Sequence, residues 1–244
     1  YSMYQTPAKV LVPLEYHPLL NLAEKVLAKH RTTEGQTSVF PAPIMDSLAE
    51  TLGEVNATND KLAAIETRIK TNEERYMATL GLSPSQNPDA DSVSRVVGDI
   101  RKAILDIYSQ NENSLTQYGY RVKVVGDGTG IAIPDTPKGL NQLTSQILKR
   151  ANLEGEYCEI PADLVERLRK TTGTAEAILE KNKQLQQAHK TTTQYRDSLV
   201  GILRGQHHKT PNTLRFYLIS ARDILMRMYR ENPQELLNLG FTLK

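Results

Sequence analysis

Three glycines follow an apolar stretch in "VVGDGTGIAIP" at residues 124–134, and this is the loop most suggestive of chemistry. A dinucleotide or phosphate cradle needs a helix that opens directly onto the loop. Here Gly126, Gly128 and Gly130 lead into Ile-Ala-Ile-Pro, an extended run, and a helix is expected only after Pro137. Asp127-Gly128 is a favoured turn pair between apolar strands, so the loop reads as a hairpin turn over 126–130. Asp127 also lacks the alternating carboxylates of a calcium loop. The five histidines, His17, His30, His189, His207 and His208, show no Glu-x-x-His or His-Glu-x-x-His spacing. His207-His208 reads as an exposed loop pair and His30 as a packing residue. Gly-x-Ser-x-Gly is absent, and Cys158, the single cysteine, has no evident base beside it. Glu73-Glu74 reads as solvated surface charge. No catalytic residue, metal ligand or cofactor is therefore assigned.

One segment carries uneven charge. Arg196, Arg204, Lys209, Arg215, Arg222, Arg227 and Arg230 face only Asp197 and Asp223. Arg204, Lys209, Arg215 and Arg222 are the candidate binding residues, for an anion, nucleic acid or an anionic surface. The competing reading is a solvated helix face balanced by acidic neighbours. A net charge of +2 over 244 residues gives no global field to recruit such partners. Aromatics at 6% with no tryptophan argue against a stacking platform for sugars or single strands. One cysteine permits no intramolecular disulfide, which fits a reducing, cytoplasmic setting. No apolar run reaches the ~18 residues of a membrane span, and "YSMYQTPAK" has no apolar signal core.

The elements that hold these residues repeat. "RKAILDIYSQNENSLTQYGYRVK" from Arg101 aligns without a gap on "RDILMRMYRENPQELLNLGFTLK" from Arg222. Tyr108 matches Tyr229, Asn111 matches Asn232, Leu115 matches Leu236 and Gly119 matches Gly240. Upstream, Val10–Pro13 matches Ile131–Pro134, Leu20-Asn21 matches Leu140-Asn141, and Phe40-Pro41-Ala42 matches Ile160-Pro161-Ala162. Several matches in one order predict a tandem duplication: a tail at 1–8, one helical repeat at 9–125, the glycine turn at 126–130 and a second repeat at 131–244.

Each repeat should open with a short strand, Val10–Val12 or Ile131–Ile133. A first helix follows, on Leu19, Leu20, Ala23, Val26, Leu27 and His30 in one repeat and Leu140, Leu143 and Ile147 in the other. A long heptad-like helix comes next. Its stripe runs from Ile44 through Leu48, Leu52, Val55, Leu62, Ile65, Ile69 and Tyr76 to Leu80. The second stripe runs from Leu164 through Leu168, Ala175, Ile178, Leu185, Tyr195 and Leu199 to Ile202. Polar breaks at 56–59 and 171–174 raise the expectation of a kink. A third helix carries Val93, Val96, Val97, Ile100, Ile104 and Ile107, matched by Leu214, Leu218, Ala221, Leu225 and Met228.

Asn232-Pro233 then reads as an N-cap with proline at the first helical position, closed by Gly240 in the left-handed conformation. This ending, N-P-x-x-L-x-x-x-G-F, resembles the C-terminal pattern of some uncharacterised bacterial helical-bundle proteins, over roughly the last 20 residues. The resemblance implies a helical bundle and transfers no site.

The expected fold is mainly α: two pseudo-symmetric three-helix repeats packed as one bundle. Four strands, Val10–Val12, Tyr120–Val124, Ile131–Ile133 and Phe241–Leu243, should gather into one small sheet. The functional expectation is a non-enzymatic structural or protein-interaction protein, binding another protein or itself. The alternatives are the basic segment above and an enzyme or ligand carrier with a site between the repeats, where the two long helices meet.

Overall fold

The computed structural model describes residues 10–32, 40–83, 91–125, 128–202 and 210–243. They are mainly helical. In chain order they form β1 (Val10–Leu11), α1 (Tyr16–Thr32), α2 (Ala42–Leu80), α3 (Val93–Ile107), β2 (Arg121–Val125) and β3 (Gly128–Ala132). There follow α4 (Pro137–Glu154), α5 (Ala162–Val200), α6 (Leu214–Met228), α7 (Glu235–Asn238) and β4 (Thr242–Leu243). Short 3-10 turns lie at Glu112–Tyr118 and Gly155–Tyr157. Among the described residues no helix is long and apolar enough to cross a membrane.

Both long helices run unbroken for 39 residues. The polar interruptions do not break them because the threonines bond within the helix. The Thr58 hydroxyl donates to the Glu54 carbonyl at 2.8 Å, and Thr171 donates to that of Arg167 at 2.9 Å. A hydroxyl bonded to its own preceding turn is compatible with a continuous helix, though such bonds tend to bend it. The buried stripe is slightly rotated from expectation. Met45 and Val165 are buried, whereas Ile44 and Leu164 are half-buried and Tyr195 is exposed. Ile107 and Met228, expected on the apolar faces of α3 and α6, are exposed at the ends of those helices.

The starts and stops follow local chemistry. Ser92 caps α3 by accepting from Arg95 N, and Thr213 caps α6 by accepting from Phe216 N at 3.1 Å. Thr136 caps α4, with Pro137 in the first turn. After each long helix comes a glycine in the left-handed region, Gly81 (φ 76°) and Gly201 (φ 84°). A Cβ on Gly81 would lie 2.7 Å from Ser92 Oγ, and one on Gly201 2.7 Å from Thr213 Oγ1. The end of each long helix is thus pressed against the cap of the next, where only glycine fits. The chain ending differs from expectation. Asn232 serves by its backbone, its carbonyl accepting from Glu235 N at 3.2 Å, and α7 begins only at Glu235. Gly240 has φ 95°.

The strands do not gather into one sheet. They form two separate antiparallel ladders, β1 with β4 and β2 with β3. Val10 pairs with Leu243, and Val122 with Ile131. Gly128 and Gly130 are ladder residues, opposite Val125 and Lys123, so the second ladder is longer than expected. Gly126 and Asp127, where the turn was placed, lie outside the described residues.

The chain divides into two compact units that do not follow the two halves of the sequence. The first comprises Tyr1–Ile65 and Ala188–Lys244, the second Glu66–Gln187. A 39-residue helix is about 58 Å long at 1.5 Å per residue, well beyond the width of one small core. Each long helix accordingly contributes to both units, and each unit has its own buried hydrophobic cluster. The first core is built on Leu19, Val26, Leu48, Leu218, Leu225 and Phe241. The second is built on Val97, Ile100, Leu115, Tyr118, Ile147 and Leu168. The β1–β4 ladder belongs to the first unit and β2–β3 to the second.

Candidate functional site

Of the four basic residues proposed from the sequence, the structure describes Arg215 and Arg222. Arg204 and Lys209 lie outside the described residues, as does the His207-His208 pair. Arg215 is only 8% exposed, and burial together with the nearby Arg222 charge lowers its pKa. Arg222 donates to Asp223 Oδ1 at 2.7 and 2.9 Å and, through Nη1, to the Val10 carbonyl at 3.4 Å. That last contact ties α6 to the first ladder. Arg101 does the same in the second unit, donating to the Ile131 carbonyl at 3.0 Å. Arg196 pairs with Asp197 at 2.8 Å. Arg227 and Arg230 are exposed.

A second cluster sits in the second unit. Tyr108 and Tyr118 both donate to Glu159 Oε2, Tyr118 at 3.4 Å, and Arg150 pairs with Glu154. Burial, then the charges of Glu154 and Glu159, raises the Tyr118 pKa. A phenol flanked by carboxylates keeps its proton at neutral pH, so this group works as a hydrogen-bond donor that positions Glu159. Among the described residues no group of three His, Cys, Asp or Glu side chains is placed to hold a metal ion.

The feature with the geometry of a site is a cavity of 640 Å³ in the second unit. It lies between the last turns of α2, the outer face of α4 and the early turns of α5. Tyr76 comes from α2, and Ser145, Leu148 and Lys149 come from α4. Thr172, Ala175, Glu176 and Leu179 come from α5. Helical spacing aligns these sets: 145, 148 and 149 share one face of α4, and 172, 175, 176 and 179 one face of α5. Asn141 Nδ2 donates to Tyr76 Oη at 2.9 Å and fixes the phenol at one end. Asn152 Oδ1 accepts from Arg169 at the other, a close contact. Thr172 Oγ1 is buried without a hydrogen-bond partner among the described residues. A buried hydroxyl without a partner forfeits about 1–3 kcal/mol, which an incoming acceptor would recover.

The volume falls in the range of small-molecule sites, with apolar walls and few polar groups. The cavity takes residues from both long helices; the sequence reading names Tyr76, Asn141 and Ala175 for packing or repetition and none of the lining as a site. Thr172 was noted only as part of the interruption at 171–174. The signal available was that interruption, a hydroxyl on an otherwise apolar stripe.

No protein-family model, no curated protein and no solved structure matches this chain.

Proposed function

We propose that this chain is a non-enzymatic structural or protein-interaction protein, built by tandem duplication of a three-helix segment. The observation that carries the reading is the recurrence of position-specific contacts at an offset of 120–121 residues. The arginine-to-strand bond recurs as Arg101 to Ile131 and Arg222 to Val10. The glycine pressed on a cap recurs as Gly81 on Ser92 and Gly201 on Thr213. α2 and α5 are equal in length, and so are α3 and α6. Burial along α1 and α4 keeps step at 121, with Leu19, Leu22 and Val26 answering Leu140, Leu143 and Ile147. The Leu-Asn match of the sequence falls at 120, one residue from this step.

Two side chains able to do chemistry serve this packing. Tyr120 Oη donates to the Val97 carbonyl at 2.7 Å, and His30 stands edge-on to Phe40. The surface offers Leu153 at 74% exposure in the last turn of α4 and Tyr157 at 88%, four residues further along the chain. Exposed apolar side chains in proximity favour a contact surface. The test is a photo-crosslinking side chain placed at Leu153 in the source cells. The expected result is a discrete protein adduct that Tyr157→Lys abolishes. Adducts no different from those formed from exposed Glu180 would refute the reading.

A further inference from the structure

We infer that the cavity of the second unit is a binding site for a small amphipathic molecule with a flat aromatic body and a hydrogen-bond-accepting head. The site rests on the equivalence of the two halves proposed above.

In the first unit, Tyr16 opens α1. Its hydroxyl donates to Asn59 Oδ1 at 3.0 Å, and the Arg196 guanidinium carbon lies 4.4 Å from its ring centre. A phenol so held by α2 and α5 is a fixed plug. At the offsets of the duplication, Tyr16 corresponds to Pro137, Asn59 to Leu179 and Arg196 to Tyr76. Leu179 and Tyr76 both line the cavity of the second unit. Where the first unit has an aromatic ring between two helices, the second has Pro137, which cannot reach inward, and open volume. The second unit is also made more polar at this place. Thr172 stands where the first unit buries Leu52, and it brings a buried hydroxyl without a partner among the described residues.

The chemistry of the ligand follows from these walls. Tyr76, Ala175 and Leu179 suit a flat apolar body like the ring that fills the equivalent place. Thr172 Oγ1, buried without a partner among the described residues, and the lining Lys149 Nζ are both donors, and they suit a carbonyl or similar acceptor. The inference shares with the proposal above the duplication and Leu153, which also lines the cavity.

The probe is the neutral naphthalene ketone prodan, followed by fluorescence titration and by calorimetry on the full chain. The expected result is one equivalent bound by the unaltered protein. Ser145 is exposed at the mouth of the cavity, so Ser145→Trp fills it without touching the core. It should weaken binding at least tenfold with the circular dichroism unchanged. Tyr16→Ala should add a second equivalent. No binding to the unaltered protein, or equal binding to Ser145→Trp, overturns the site. Tyr16→Ala that remains folded and binds one equivalent overturns the equivalence with Tyr16, and with it the assignment of an aromatic ligand. Neither result touches the crosslinking test, so the two readings fail separately.

Discussion

Replacing Gly201 by alanine tests the packing logic of the fold most directly. Gly201 has φ 84°, and an added Cβ would lie 2.7 Å from Thr213 Oγ1 and 3.0 Å from Thr213 Cβ. The left-handed conformation alone costs a non-glycine residue about 1–2 kcal/mol. Moving Thr213 also strains the bond it accepts from Phe216 N, a helix cap whose loss costs about 1 kcal/mol. The sum is about 2–3 kcal/mol. With a urea dependence of about 2 kcal/mol per molar, the unfolding midpoint of the first unit should fall by about 1–1.5 M. Gly173→Ala is the matched control. Gly173 lies inside α5, is exposed, and has no neighbour within 4 Å of a built Cβ. Alanine there should stabilise by about 0.5–1 kcal/mol, the usual gain over glycine in a helix interior. Urea unfolding followed by circular dichroism, with amide exchange to separate the units, reads both. An unchanged midpoint for Gly201→Ala would refute the contact with the Thr213 cap. A destabilised Gly173→Ala would show that α5 is not continuous there.

Asn182 is buried on α5, with Oδ1 lacking a partner among the described residues. Asn182→Leu should therefore raise stability by about 1–2 kcal/mol in urea unfolding. Burial raises the Tyr120 pKa above its ordinary 10.0, so the folded state favours the neutral phenol. Its contribution is complete below pH 10 and is lost as pH rises through the folded value, so stability should fall in alkali. Tyr120→Phe should blunt that fall, read by unfolding midpoints from pH 8 to 11, while costing about 1 kcal/mol at neutral pH through the lost bond to Val97. Charge reversal at Arg215 would unfold the protein instead of testing its affinity, because that residue is buried. Arg227→Glu with Arg230→Glu keeps the fold and tests the basic segment. A DNA titration that is flat in salt for the unaltered protein, and unchanged in this variant, is the expected result.

Much of the local structure was legible in the sequence because it depends on neighbours along the chain. Spacing of three and four marked both long helices, though Met45 and Val165, not Ile44 and Leu164, proved to be buried. Ser92 and Thr213 are capping residue types directly before an apolar stripe, and they cap α3 and α6. The strand pairings followed from apolar runs and from the terminal match, even though two ladders form where one sheet was expected. Asn232 was misread because a cap side chain and a backbone turn start from the same residue type.

Periodicity fixes which face of a helix is apolar and how long the helix is. It does not fix what covers that face. Tertiary structure therefore decided that each long helix serves two cores, with the sequence halves divided between them. It decided that Arg215 is buried and that Arg222 is turned onto the Val10 carbonyl, which a count of charges along the chain cannot show. It also decided the cavity. A cavity is space left unfilled by side chains from Tyr76, Ser145 and Thr172, separated by up to about a hundred residues, and no local pattern encodes a volume.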